Sequence, residues 1–109
     1  MTYRALMVLR MKPENAHVVA ETFAEHDQGE LPGIIGISRR TLFRFHGLYM
    51  HLIEADTDVL PNLLAARSHP EFRDINSKLD NYLERYDPQS WRSLSDSMAT
   101  PFYTWSADS

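Results

Sequence analysis

The chain has 109 residues and a mass of 12.6 kDa, the size of one domain, with 43 % hydrophobic and 24 % charged residues, an ordinary globular composition. It contains no cysteine, which excludes disulfides, thiolate nucleophiles, iron–sulfur clusters and Cys-ligated zinc together. A net charge of −4 argues against nucleic-acid binding, and no apolar run approaches the roughly 20 residues that span a bilayer.

The N-terminus, Met1-Thr2-Tyr3-Arg4, has no apolar signal-peptide core, so a cytoplasmic location is expected. Residues 3–11 read as a strand with apolar side chains on both faces. Pro13 opens a helix whose inward stripe runs through Ala16, Val19, Ala20, Phe23 and Ala24. Asp27 continues that stripe and His26 borders it, so two titratable groups end the helix near its inward side. Gly29 and Leu31-Pro32-Gly33 stop it.

A strand is expected over 34–45, a two-residue His46-Gly47 turn, and a second strand over 48–55. That turn sets the register: Phe45 opposite Leu48, Phe43 opposite Met50, Leu42 opposite His51, Arg40 opposite Ile53. One face then carries Phe43, Phe45, Leu48, Met50 and Leu52 and is almost wholly apolar. The other is mixed and brings Arg40 diagonal to His51.

Asp56-Thr57-Asp58 caps a helix over about 59–67. Ser68 and Glu71 match a capping box for a further helix, 71–83, with Phe72, Ile75, Leu79 and Leu83 inward and His69 at its start. Residues 88–98 form a polar connection anchored by Trp91 and Leu94, and residues 100–106 a last strand with Phe102, Tyr103 and Trp105. No repeat or linker divides the chain, so residues 1–109 are read as a single domain. The order is β-α-β-β-α-(α)-β: an α+β fold with a ferredoxin-like antiparallel sheet and helices on one face. Apolar residues on the second face call for a partner, and a homodimer packed sheet against sheet satisfies them.

These segments carry a resemblance. Residues 3–11, Phe23-Ala24-Glu25-His26-Asp27, Leu42-Phe43-Arg44-Phe45-His46, residues 48–56, Ala66-Arg67-Ser68-His69-Pro70 and Phe102-Tyr103-Thr104-Trp105 are similar to aromatic polyketide cyclases of the tetracenomycin-cyclase type. The resemblance covers nearly the whole chain. It implies a dimeric α+β barrel and cofactor-free cyclisation of a poly-β-keto chain, free or held on an acyl carrier protein. It also implies catalytic groups at His26, Asp27, Arg40 and His51.

Those residue types suit an intramolecular aldol reaction with loss of water. A histidine is a sufficient base for a methylene between two ketones, and an arginine can hold the enolate oxygen. Asp27 would orient a histidine, and the choice of base between His26 and His51 stays open. Tyr3, Met7, Phe23, Tyr49, His69 and Trp105 are the candidate substrate walls. The chemistry needs no metal, and the five histidines show no same-face helical pair of the kind zinc prefers. His17 and His46 read as surface and turn residues. The rival readings are a cofactor-independent oxygenase on the same barrel, a haem-binding barrel and a non-catalytic small-ligand module.

Overall fold

In a computed structural model, which describes residues 3–107, Tyr3–Met11 forms β1 and pairs antiparallel with β3, Leu48–Ala55. β3 pairs in turn with β2, Ile37–Phe45, and the short β4, Leu83–Glu84, pairs with β1, so the strand order in space is β2-β3-β1-β4. Helix α1 spans Ala16–His26 after a turn of 3-10 helix at Pro13–Asn15, α2 spans Leu31–Ile35, α3 Leu60–Ala65 and α4 Pro70–Leu79. This is the ferredoxin-like α+β arrangement.

The hairpin registers as its two-residue turn dictates. Phe45 faces Leu48, Phe43 faces Met50, Leu42 faces His51 and Arg40 faces Ile53, with His46 at the turn in the left-handed region (φ 53°). Tyr49, His51, Ile53 and Ala55 alternate inward on β3 and are buried, so the mixed face is the one the helices cover. The apolar face lies open: Phe43 and Phe45 remain 41 % and 60 % exposed.

Near its start β2 carries a bulge. Ile37 pairs with Ala55 but Arg39 pairs with Glu54, so Ser38 is an extra residue without a partner across the ladder. Without it, Ile37 and Arg40, three positions apart, would lie on opposite faces of the sheet. With it, both turn inward.

Several elements differ from the sequence expectation. Ile34 and Ile35 are helical rather than extended, because Pro32 opens a short turn of helix, and Gly36, at φ 91°, ends it in the left-handed conformation glycine tolerates. The α1 stripe is narrower than expected: Val19 and Phe23 are buried, whereas Ala20 and Ala24 face outward. The cap of α4 is His69, whose Nδ1 accepts from the Glu71 N–H at 3.1 Å, and not Ser68. Helix α4 stops at Leu79, and Leu83–Glu84 is the short fourth strand, β4, against Arg10 and Met11.

Residues 100–106 form no strand. The sheet contact falls just before them, where Met98 bridges Met7 and the Ala99 N–H donates to the Leu6 carbonyl at 2.7 Å. Three aromatic side chains beyond are exposed, Phe102 at 98 %, Tyr103 at 78 % and Trp105 at 73 %. Among the described residues, no helix is long and apolar enough to cross a membrane.

Candidate active site

Between the sheet's helix-covered face and helices α1, α2 and α4 lies a cavity of about 470 Å³, within the size range of small-molecule sites. The walls are apolar: Met7, Phe23, Ile53, Leu63, Phe72 and Ile75 all contribute. His26, Asp27, Arg40 and His51, separated by up to 25 positions in sequence, all reach this one space.

Three pieces of local structure bring them there. The end of α1 presents His26 and, at its C-cap, Asp27. The inward parity of β2 after its bulge presents Arg40, and the β3 alternation presents Tyr49 and His51. Arg40 then ties the set together. Its Nε and Nη2 donate to Asp27 Oδ2 and Oδ1 at 3.1 and 2.8 Å, a bidentate clamp, and its Nη1 donates to His51 Nε2 at 2.9 Å. The guanidinium also lies over the Phe23 ring, 4.6 Å from its centroid. Of the five N–H donors of an arginine, three are thus engaged among the described residues.

His51 is buried, only 5 % exposed, edge-on to Phe23 at 5.1 Å, and its Nδ1 lies 3.1 Å from the Tyr49 hydroxyl. Burial, reinforced by the adjacent Arg40 charge, pushes its pKa down to about 3, so the ring is neutral at pH 7. Burial pushes the Tyr49 phenol up against the opposing pull of Arg40, so it keeps its proton.

His26 is held separately. Its Nε2 lies 3.0 Å from Asp74 Oδ2 on α4, off the direction of a good hydrogen bond, and Asp74 in turn meets Lys78 Nζ at 3.1 Å. The expectation that Asp27 orients a histidine is therefore corrected. Asp27 holds the arginine, because the C-cap position aims its carboxylate across to β2, and the carboxylate beside a histidine is Asp74.

Met7, Phe23 and Tyr49 line the cavity as expected of substrate walls. Three other candidates sit elsewhere. The Tyr3 hydroxyl bonds to Asp58, the His69 ring is used in capping α4, and Trp105 stands 73 % exposed on the C-terminal segment. The connection around residue 91 also lines the cavity, through Trp91, stacked under Arg85 at 4.8 Å, and Leu94. Asp74 was invisible beforehand because Asp74 and Lys78 look like an ordinary surface i,i+4 pair. Among the described residues no three His, Asp or Glu side chains converge as a metal site would require.

Residues 3–106 match the family model described as polyketide synthesis cyclase. The chain is 58 % identical over 107 residues to tetracenomycin F2 cyclase of Streptomyces glaucescens, covering 98 % of this chain and 97 % of that protein. It is 43 % identical to polyketide synthase CurG of Streptomyces cyaneus, over 97 % and 99 % of the two chains. The solved structure of tetracenomycin F2 cyclase, described as a type-II polyketide cyclase, superposes with a TM-score of 0.91 over 96 % of this chain and 98 % of that one. A putative antibiotic biosynthesis monooxygenase from Nitrosomonas europaea shares the fold at 9 % identity, with a TM-score of 0.56 over 80 % and 82 % of the two chains.

Proposed function

Because the chain belongs to the polyketide synthesis cyclase family, we propose that it closes a ring in a poly-β-keto chain by an intramolecular aldol reaction followed by loss of water. The observation that carries this reading is the contact of Arg40 with His51 inside an apolar cavity: an oxygen-binding cation and a neutral base side by side.

A substrate ketone entering the cavity meets the guanidinium edge. As its oxygen accepts from Nη1, the bond to His51 is released and the Nε2 lone pair becomes available. His51 then removes a proton from the methylene next to that ketone, and the enolate charge forms against Arg40, already fixed in place by Asp27. The enolate carbon attacks a second ketone further along the chain, forming the carbon–carbon bond, and the resulting alkoxide takes the proton back from His51. His51, neutral again, accepts a second methylene proton as the hydroxyl group departs, which releases one water and leaves the ring unsaturated. His26, on the opposite wall beside Asp74, supplies the proton for the departing hydroxyl. The Phe, Tyr and Met walls fold a flexible chain so that one methylene and one ketone meet.

The working unit is a homodimer in which the open apolar face, with Phe43 and Phe45, packs against a second copy. The substrate is a small polyketide, free or carried on an acyl carrier protein, and the protein works in the cytoplasm without a cofactor.

Co-expression with a minimal type II polyketide synthase tests the reading. Wild-type protein is expected to redirect the products to a cyclised aromatic, and Arg40→Ala or His51→Ala to abolish that change. An unchanged product pattern with both variants rejects it.

A further inference from the structure

We propose that Tyr49 is a positioning residue that, with Arg40, holds His51 in the neutral tautomer carrying its proton on Nδ1 and its lone pair on Nε2. This rests on the reading of His51 as the base and specifies which of its nitrogens acts.

Both ring nitrogens of His51 have a partner of known capacity. Nε2 faces Arg40 Nη1 at 2.9 Å, and a guanidinium has N–H donors but no acceptor. Nε2 must therefore present a lone pair, since a proton there would set two donors against each other. A neutral ring with a bare Nε2 carries its proton on Nδ1, and the acceptor for that proton is the Tyr49 Oη at 3.1 Å.

The reverse assignment would let the Tyr49 hydroxyl donate to Nδ1. It would do so by turning an Nε2–H onto a full positive charge, and hydrogen bonds to an ionised donor outweigh those between neutral groups. Tyr49 suits the acceptor's part. It stands two residues from His51 on the same buried face of β3 and is only 2 % exposed. Phe23 packs edge-on against the imidazole, its centroid 5.1 Å away.

Free histidine prefers its neutral proton on Nε2, which would leave the lone pair on Nδ1, turned toward Tyr49 and away from Arg40. The Tyr49–His51–Arg40 line reverses that preference. It aims the basic nitrogen at the place where a ketone oxygen displaces the guanidinium.

The experiment is a long-range proton–nitrogen correlation spectrum of protein labelled with nitrogen-15 in its histidine rings, at neutral pH and without substrate. His51 is identified by the signals missing in His51→Gln. A protonated nitrogen at Nδ1 and a lone-pair nitrogen at Nε2 are expected, and a proton on Nε2, or on both, overturns the proposal. In Tyr49→Phe the Nδ1–H signature is expected to weaken, with kcat lowered about tenfold and KM changed less than about twofold. An unchanged spectrum with unchanged kcat in that variant also overturns it. The wild-type spectrum is recorded without substrate or turnover, so the tautomer and the cyclase reading fail separately.

Discussion

Arg40 donates to His51 Nε2 at 2.9 Å, which places a permanent cation against the one nitrogen of the site's buried imidazole that can accept a proton. If His51 is the base, as proposed, it is masked while the cavity is empty, and the group that masks it is the one that would receive the substrate oxygen. Binding and activation would then be one exchange of hydrogen bonds.

Replacing Arg40 therefore removes two things at once. Arg40→Ala is expected to lower kcat for the cyclised product by about 10²- to 10³-fold, the size of losing a principal oxyanion donor. Arg40→Lys keeps the charge but loses the fork that spans Asp27 and His51, and is expected to stay at least about tenfold below wild type. Single-turnover product formation followed by chromatography reads both.

In the proposed mechanism Asp27 acts through Arg40. Asp27→Asn keeps the size of the side chain but leaves one arm of the clamp without an acceptor, so kcat is expected to fall about tenfold. The carboxylate is over a third exposed, so the change in stability should stay near or below about 1 kcal/mol. Steady-state kinetics beside urea unfolding separates the two effects.

The depressed pKa of His51 makes stability depend on pH. Between the ordinary value of 6.5 and the folded value of about 3, the unfolded chain binds a proton that the folded chain refuses. Stability from this group is thus complete above pH 6.5 and is lost as pH falls through that window, at up to about 1.4 kcal/mol per unit. His51→Gln removes the term, so its melting temperature should fall less than that of wild type between pH 7 and pH 4. Parallel slopes for the two proteins would contradict this.

Ile53, on the sheet side of the cavity, is 1 % exposed, whereas Phe102 is 98 % exposed. Ile53→Ala is expected to cost about 3 kcal/mol of unfolding free energy, the usual penalty for emptying a core site. Phe102→Ser should change the stability of the folded chain by less than about 0.5 kcal/mol. Denaturant titration of the two variants checks the contrast.

A homodimer built on the open sheet face predicts a hydrodynamic mass twice that of the 12.6 kDa chain. The double variant Phe43→Asp, Phe45→Asp would bury four carboxylates in such an interface and is expected to sediment as a monomer. Analytical ultracentrifugation over a concentration series measures both proteins.

How much of this could be read beforehand differed by element. The hairpin was legible to the residue, since a two-residue turn leaves one register and that register carries Arg40 and His51 to the same face. Helix α1 and its terminal His26 and Asp27 were legible from periodicity. The fourth strand was not, because two residues carry no period: Leu83 keeps its inward side chain whether it ends a helix or starts a strand. The aromatic run at 102–105 has strand-forming residues, yet Pro101 removes a donor just where pairing would continue beyond Ala99. Asp27's partner could not be read either, because a carboxylate at a helix end can reach whatever the next layer places opposite it.

The extra residue at Ser38 has a consequence for how this cavity can vary. Downstream of it, the parity of β2 is counted back from the His46-Gly47 turn; upstream, it is counted forward from Gly36 and the end of α2. The cavity floor is thus assembled from two independent reading frames that meet at one unpaired residue. Changes in the length of the 28–36 segment can reshape the apolar end at Leu31, Ile35 and Ile37 while Arg40 keeps its aim at His51. A scaffold with such a joint can exchange the mould around a substrate and leave the reacting groups in place.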